Sequence, residues 1–128
     1  MESVILVAPR GYSVDFKAKV PSGYRVSEGG NGRTVIDDGT TRIYIGRSDS
    51  VRDELGPEEL HRITSLIADP VFYTFDFTDI RFCKAILPSI ADDPKLLVDN
   101  DHGVLLPGPE FIQLLYSKPG WDWRWDVN

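Results

Sequence analysis

The sequence predicts an α+β fold: a single domain over residues 1–128, a mostly antiparallel sheet and about three helices. Three observations point there. Two pairs of apolar or β-branched runs flank short turns, Asp37-Asp38-Gly39-Thr40 and Asp99-Asn100-Asp101-His102, as antiparallel hairpins do. Helix-start signals interrupt the strands. No βαβ unit repeats along the chain, so a parallel sheet has no support.

Each element has its own warrant. Val4-Ile5-Leu6-Val7-Ala8, closed by Pro9 and Gly11, reads as a buried strand. Residues 12–20 alternate, with Val14, Phe16, Ala18 and Val20 against Ser13, Asp15, Lys17 and Lys19, and predict a strand with one wet face ended by Pro21-Ser22-Gly23. Gly29-Gly30-Asn31-Gly32 is a loop. Arg33-Thr34-Val35-Ile36 and Thr41-Arg42-Ile43-Tyr44-Ile45 then form the first hairpin, with Asp38-Gly39 expected to supply positive φ angles. Ser50 with Asp53 resembles a helix start. Pro57, Glu58 and Glu59 put a rigid first turn and negative charge where the helix dipole favours them, which predicts a helix over residues 57–68. Its apolar face is Leu60, Ile63, Leu66 and Ile67. Ala68-Asp69-Pro70 breaks it.

Val71-Phe72-Tyr73-Thr74-Phe75-Asp76-Phe77 is the most β-prone stretch and is read as a central strand. Thr78 or Asp79 caps a second helix that buries Ile80, Cys83, Ile86 and Leu87, with Pro88 as its latest end. Lys95-Leu96-Leu97-Val98 and Gly103-Val104-Leu105-Leu106 make the second hairpin. Pro107-Gly108-Pro109-Glu110 begins a third helix with Phe111, Leu114 and Leu115 on one face and Tyr116 beside them, stopped by Lys118-Pro119-Gly120.

Composition narrows the function classes. Hydrophobic residues at 41% and charged residues at 27% are those of a globular protein. No apolar run is long enough to cross a bilayer and Met1-Glu2-Ser3 lacks a basic leader, so a cytoplasmic protein is expected, in keeping with a lone cysteine, Cys83. Twenty acidic against fourteen basic residues leave a net charge of −6, which repels nucleic acid and anionic membranes and attracts a basic protein partner. No run of Lys and Arg interleaved with aromatics opposes that reading.

Motifs for chemistry are sparse. Asp99-Asn100-Asp101-His102 gathers oxygen and imidazole ligands, but Val104, Leu105 and Leu106 supply none of the later oxygens of a calcium loop. Turn residues alone account for it. Gly29-Gly30-Asn31-Gly32-Arg33 lacks the lysine and hydroxyl of a phosphate loop, and no helix follows it. Cys83 lies on an apolar helix face, and neither His61 nor His102 shares a local motif with it. No catalytic residue, metal ligand or cofactor is assigned.

All three tryptophans fall in the last eight residues, Trp121-Asp122-Trp123-Arg124-Trp125-Asp126-Val127-Asn128, alternating with charge. If extended, the segment sets three indoles on one face. Either they complete the protein's own core, or they anchor a partner. In the second case Trp121, Trp123 and Trp125 are anchors, while Asp122, Asp126, Asp99 and Asp101 steer and rim the contact. Pairing of tail edges between copies of the chain is a further expectation.

The second half, with Phe75-Asp76-Phe77-Thr78-Asp79, Leu97-Val98-Asp99-Asn100-Asp101-His102-Gly103 and Leu106-Pro107-Gly108-Pro109-Glu110-Phe111, resembles small immunity proteins of bacterial polymorphic toxin systems. The resemblance implies a cytoplasmic, non-enzymatic protein that binds and blocks a cognate toxin, and it carries over only the turn Asp99, Asn100, Asp101 and His102. The alternative is a small metal-dependent hydrolase built on that turn, with His61 as a second base.

Overall fold

A computed structural model describes residues 1–125. β1 (Glu2–Pro9), β2 (Arg25–Glu28), β3 (Thr34–Asp37), β4 (Arg42–Arg47), β5 (Pro70–Phe77), β6 (Leu97–Asp99) and β7 (Leu105–Pro107) form one sheet. Their order is β2-β3-β4-β5-β1-β6-β7 and every pairing is antiparallel. Five α-helices accompany them among the described residues: α1 (Phe16–Lys19), α2 (Val51–Glu54), α3 (Pro57–Leu66), α4 (Ile80–Ala91) and α5 (Gly108–Ser117). α1 and α2 are single turns of four residues, and they make the difference from the expected three.

β1 and β5 pair over their whole length, from Glu2 with Phe77 to Pro9 with Pro70, and form the spine. Period two sorts their side chains. Val4, Leu6, Phe75 and Phe77 point to one face, where α4 and α5 cover them with Phe82, Cys83, Ile86, Leu87, Phe111 and Leu115. Ile5, Val7 and Phe72 point to the other, where Val51 and Ile63 pack on them together with Leu97. The sheet therefore lies between two unequal helical layers, the larger core under α4 and α5.

Both predicted hairpins are present, β3–β4 and β6–β7. In the first, only Gly39 takes a positive φ (95°); Asp38 instead caps the turn, its Oδ1 accepting from Thr40 N at 2.8 Å and Thr41 N at 2.7 Å. The Gly29–Arg33 segment is a tight loop, with Asn31 at φ 62°, and the Arg33 guanidinium stacks 5.0 Å from the Tyr44 ring.

Three expectations are corrected. Residues 12–20 are not a strand: Asp15 caps α1 by accepting from Ala18 N at 3.4 Å, and Phe16 is buried edge-on against Tyr73 at 5.1 Å. One deep aromatic contact and a capping carboxylate outweighed the weak alternation, and Ala18 faces solvent. In α3 Ile63 is buried and Leu60 and Ile67 pack beside it on the same cluster, but Leu66 is 61% exposed and does not belong to the apolar face. α4 does not stop before Pro88 but runs through it to Ala91, since Ile90 and Ala91 are fully buried and that burial outweighs one missing backbone bond.

The tail is the fourth correction. It is not an extended stripe. Residues 123–125 form a turn, with Trp125 N donating to Asp122 O at 3.1 Å. Trp121 and Trp123 are 4% and 1% exposed and stack edge-on with each other at 5.4 Å, and Trp123 also meets Phe111 and Phe77 at 5.9 and 6.2 Å. Arg124 closes the turn by donating from Nε and Nη2 to the Asp122 carboxylate at 2.9 and 2.7 Å. Trp125, 82% exposed, is the indole left on the surface. Asp126 lies outside the described residues.

Candidate functional site

The β6–β7 turn is built by its own side chains. Asp99 Oδ1 accepts from Asp101 N at 2.9 Å, and Asn100 Oδ1 accepts from His102 N at 2.9 Å and Val104 N at 3.1 Å. Asp101 and Gly103 take the positive φ angles, 62° and 95°, that the sequence assigned to this turn. The carboxylates are thereby held in place.

Asp99 stands opposite Ile5 of β1 and Leu105 of β7, on the sheet face that α3 crosses. Glu59 lies one helical turn before Ile63, the residue that anchors α3 to this face, so it hangs over Asp99. A cleft of about 370 Å³ opens between them, with Glu59 and Asp99 inside, Asp101, Glu58 and Arg62 around it, and Val104 and Leu105 as an apolar wall. A second cleft of about 260 Å³, which includes Ser3, Glu54 and Thr74, adjoins it through the shared residues Glu59 and Asp101.

The electrostatics of Asp99 are unusual. The residue is 1% exposed, no N–H reaches its Oδ2, and its carboxyl meets the Glu59 carboxyl within hydrogen-bond reach. Burial first, and then Glu59, push its carboxyl up to about 8, although the Asp101 N–H on Oδ1 opposes the change. Asp99 is therefore protonated at neutral pH and can share its proton with Glu59. Asp101 is also raised, by burial and then by Glu59. His102 sits 3.9 Å from Glu2 at the margin.

Of the residues expected from sequence, Asp99 and Asp101 come together here. Trp121, Asp122, Trp123 and Trp125 belong instead to the tail, which packs with α4 and α5 on the opposite face. Trp121 and Trp123 are core residues, and of the three expected anchors Trp125 is the one left exposed. Glu59 was not singled out, because its role as a helix-start charge hid its position forty residues in sequence from Asp99. Nothing local in the chain marks that contact.

The residues weighed for catalysis do not converge. Cys83 is on the buried face of α4, where desolvation drives its thiol well above the usual range, while His61 is exposed on α3 across the sheet. His61 lines neither cleft. Among the described residues no three His, Cys, Asp or Glu side chains are grouped as metal ligands are. Among the described residues no helix is long and apolar enough to cross a membrane.

Comparison with protein families, curated proteins and solved structures finds no match to this chain.

Proposed function

We propose that this is a non-enzymatic binding protein of the immunity type, which neutralises a cognate toxin by seating a basic surface of the toxin against its acidic face. One observation carries the reading: a cleft in which the carboxyls of Asp99, Glu59 and Asp101 crowd together. Carboxyls crowded in one cleft favour an incoming positive charge, and a net charge of −6 draws basic groups from solution. Trp125 adds an exposed aromatic elsewhere on the surface for a partner to cover.

The test is neutralisation in cells. The toxic C-terminal domain of a secreted protein encoded immediately upstream is co-expressed with this chain; growth is restored and the two proteins co-purify. Absence of rescue, or a metabolic operon around the gene, would sink the reading.

The Glu59–Asp99 pair also favours a second reading as a small hydrolase. A carboxyl that is protonated near neutral pH beside a carboxylate is an acid–base arrangement. Its mark is turnover of ester, phosphoester or glycoside probes that disappears in E59Q, whereas a binding protein turns over none.

A further inference from the structure

We infer that the open part of the sheet at β3 and β4 carries a site for a small phosphomonoester, bound in the cleft beside Tyr44 by Arg42 with Arg33 as the second cation. The inference is independent of the binding-protein reading and concerns a different part of the surface.

Period two sets Arg42, Tyr44 and Gly46 on the face of β4 opposite the buried Ile43 and Ile45. The register carries that face from Gly46 to Thr74 of β5 and on to Ile5 of β1, so it is the face on which α2 and α3 pack. The apolar cluster beneath those helices takes in Ile5, Val7, Phe72 and Leu97 and no residue of β2, β3 or β4. Beyond β5 the face is therefore open. Arg33 lies across it: a Cβ on Gly46 would come 2.5 Å from Arg33 Cγ, so the glycine makes room for the side chain. The Arg33 guanidinium rests on the Tyr44 ring at 5.0 Å, while Nε is buried without an acceptor. No carboxylate among the described residues pairs with it. A half-buried arginine without a counter-ion is uncommon, and with Nε covered the Nη edge is the part that an anion can meet.

A cleft of about 390 Å³ opens on this face where β4 leaves its turn, lined by Met1, Thr40, Thr41, Arg42, Tyr44 and Thr78. In a chain with twenty acidic residues, none lines it. The nearest carboxylates are already engaged. Asp38 accepts from Thr40 N and Thr41 N, Asp37 from Gly39 N and Arg42 Nε, and Asp76, opposite Tyr44, from Ser3 Oγ at 2.6 Å. The Arg42 side chain is 61% exposed and lies beside the Tyr44 hydroxyl, so both guanidinium groups border the phenol that lines the cleft. Arg25 of β2, opposite Asp37, adds a third cation to the face.

This donor set selects the ligand. A phosphomonoester brings three terminal oxygens and between about 1.5 and 2 negative charges, which suits forked guanidinium groups and threonine hydroxyls. A carboxylate brings fewer of both. The cleft has the size of a small-molecule site, in the range of about 300–1,000 Å³. Surface charges act over about 8 Å at physiological salt, so the local arginines outweigh a net −6 spread over the whole molecule.

The experiment titrates the intact protein with glycerol 3-phosphate, inorganic phosphate, acetate and a phosphoserine peptide, following NMR signals of the amides of residues 40–46 and of the Arg33 and Arg42 Nε–H groups. Glycerol 3-phosphate is expected to shift these signals saturably with a dissociation constant on the order of 1 mM, and acetate to bind at least about tenfold less tightly. R42Q should weaken binding by about tenfold and R33Q by about threefold. D37N, which releases Arg42 from its carboxylate, should tighten it. R10Q, which removes a cation at the far end of β1, should leave it unchanged. R42Q and D37N alter side chains at the surface of the hairpin, so they test the site even if R33Q, which takes packing from Gly46 and Tyr44, unfolds the protein. Absence of saturable shifts, equal binding of acetate, or a response unchanged in R42Q would overturn the site. Tighter binding of the phosphoserine peptide than of glycerol 3-phosphate would overturn its assignment to a small ligand.

Discussion

At the scale of single residues, Asp99 links fold and function. Its carboxyl is raised in the folded protein, so the native state holds a proton that the unfolded chain releases between about pH 4 and pH 8. Stability from this group is full below about pH 4 and is lost as pH rises toward 8, with a slope of at most about 1.4 kcal/mol per pH unit. Urea melts at pH 5 and pH 8.5 test this: wild type should weaken toward pH 8.5, and D99N should weaken much less. A wild-type stability that rises across that window would contradict the burial of this group. The tryptophans make a second contrast. Trp123→Ala removes a core indole and should cost about 3–5 kcal/mol of stability. Trp125→Ala removes an exposed one and should change stability by less than about 0.5 kcal/mol. If Trp125 contacts the partner, that second variant shortens the lifetime of the complex while the melting curve stays put.

Secondary-structure elements show where local sequence was sufficient. Asp38-Gly39 and Asp99-Asn100-Asp101 wrote both hairpins, because their side chains satisfy turn backbone within two or three residues and need nothing distant. Pro57 and Asp79 likewise marked helix starts that the structure retains, Asp79 accepting from Arg81 N at 2.9 Å. Residues 12–20 and Pro88 went the other way, for a common reason: Phe16 and Ile90 are placed by burial against residues far along the chain. The junction of α4 with α5 gives a sharp test of such packing. A Cβ on Gly108 would lie 1.9 Å from Ala91 O, a rigid backbone atom, while Gly108 N donates to Leu96 O at 2.9 Å. Gly108→Ala should therefore cost at least about 2 kcal/mol, with a lowered midpoint in urea, and an unchanged midpoint would mean that the two helices separate freely.

For the whole molecule, charge and topology act together. The sheet order brings β6 beside β1, and the connection through α2 and α3 returns across the face they share, so Glu59 and Asp99 meet by topology alone. With −6 net charge behind it, the cleft should draw a basic partner fastest at low salt. Stopped-flow association with that partner should slow markedly between 20 and 200 mM salt (on the order of tenfold), with dissociation nearly constant. D101N, at the mouth, should lower the association rate more than it raises the dissociation rate. Insensitivity to salt would remove electrostatic steering from the account.

Composition, hydrophobic alternation and turn chemistry by themselves determined the α+β class, the central strand at residues 71–77, both hairpins and the acidic character, because each depends on neighbours within a few positions. Half of the cleft was visible in that way too, as Asp99 and Asp101. Only the tertiary structure decided that Glu59 faces Asp99, that Trp121 and Trp123 are core while Trp125 is surface, and that α4 passes through Pro88. Those outcomes depend on which surfaces are buried against each other across tens of residues, and burial energy is a property of the packed pair that neither segment carries alone.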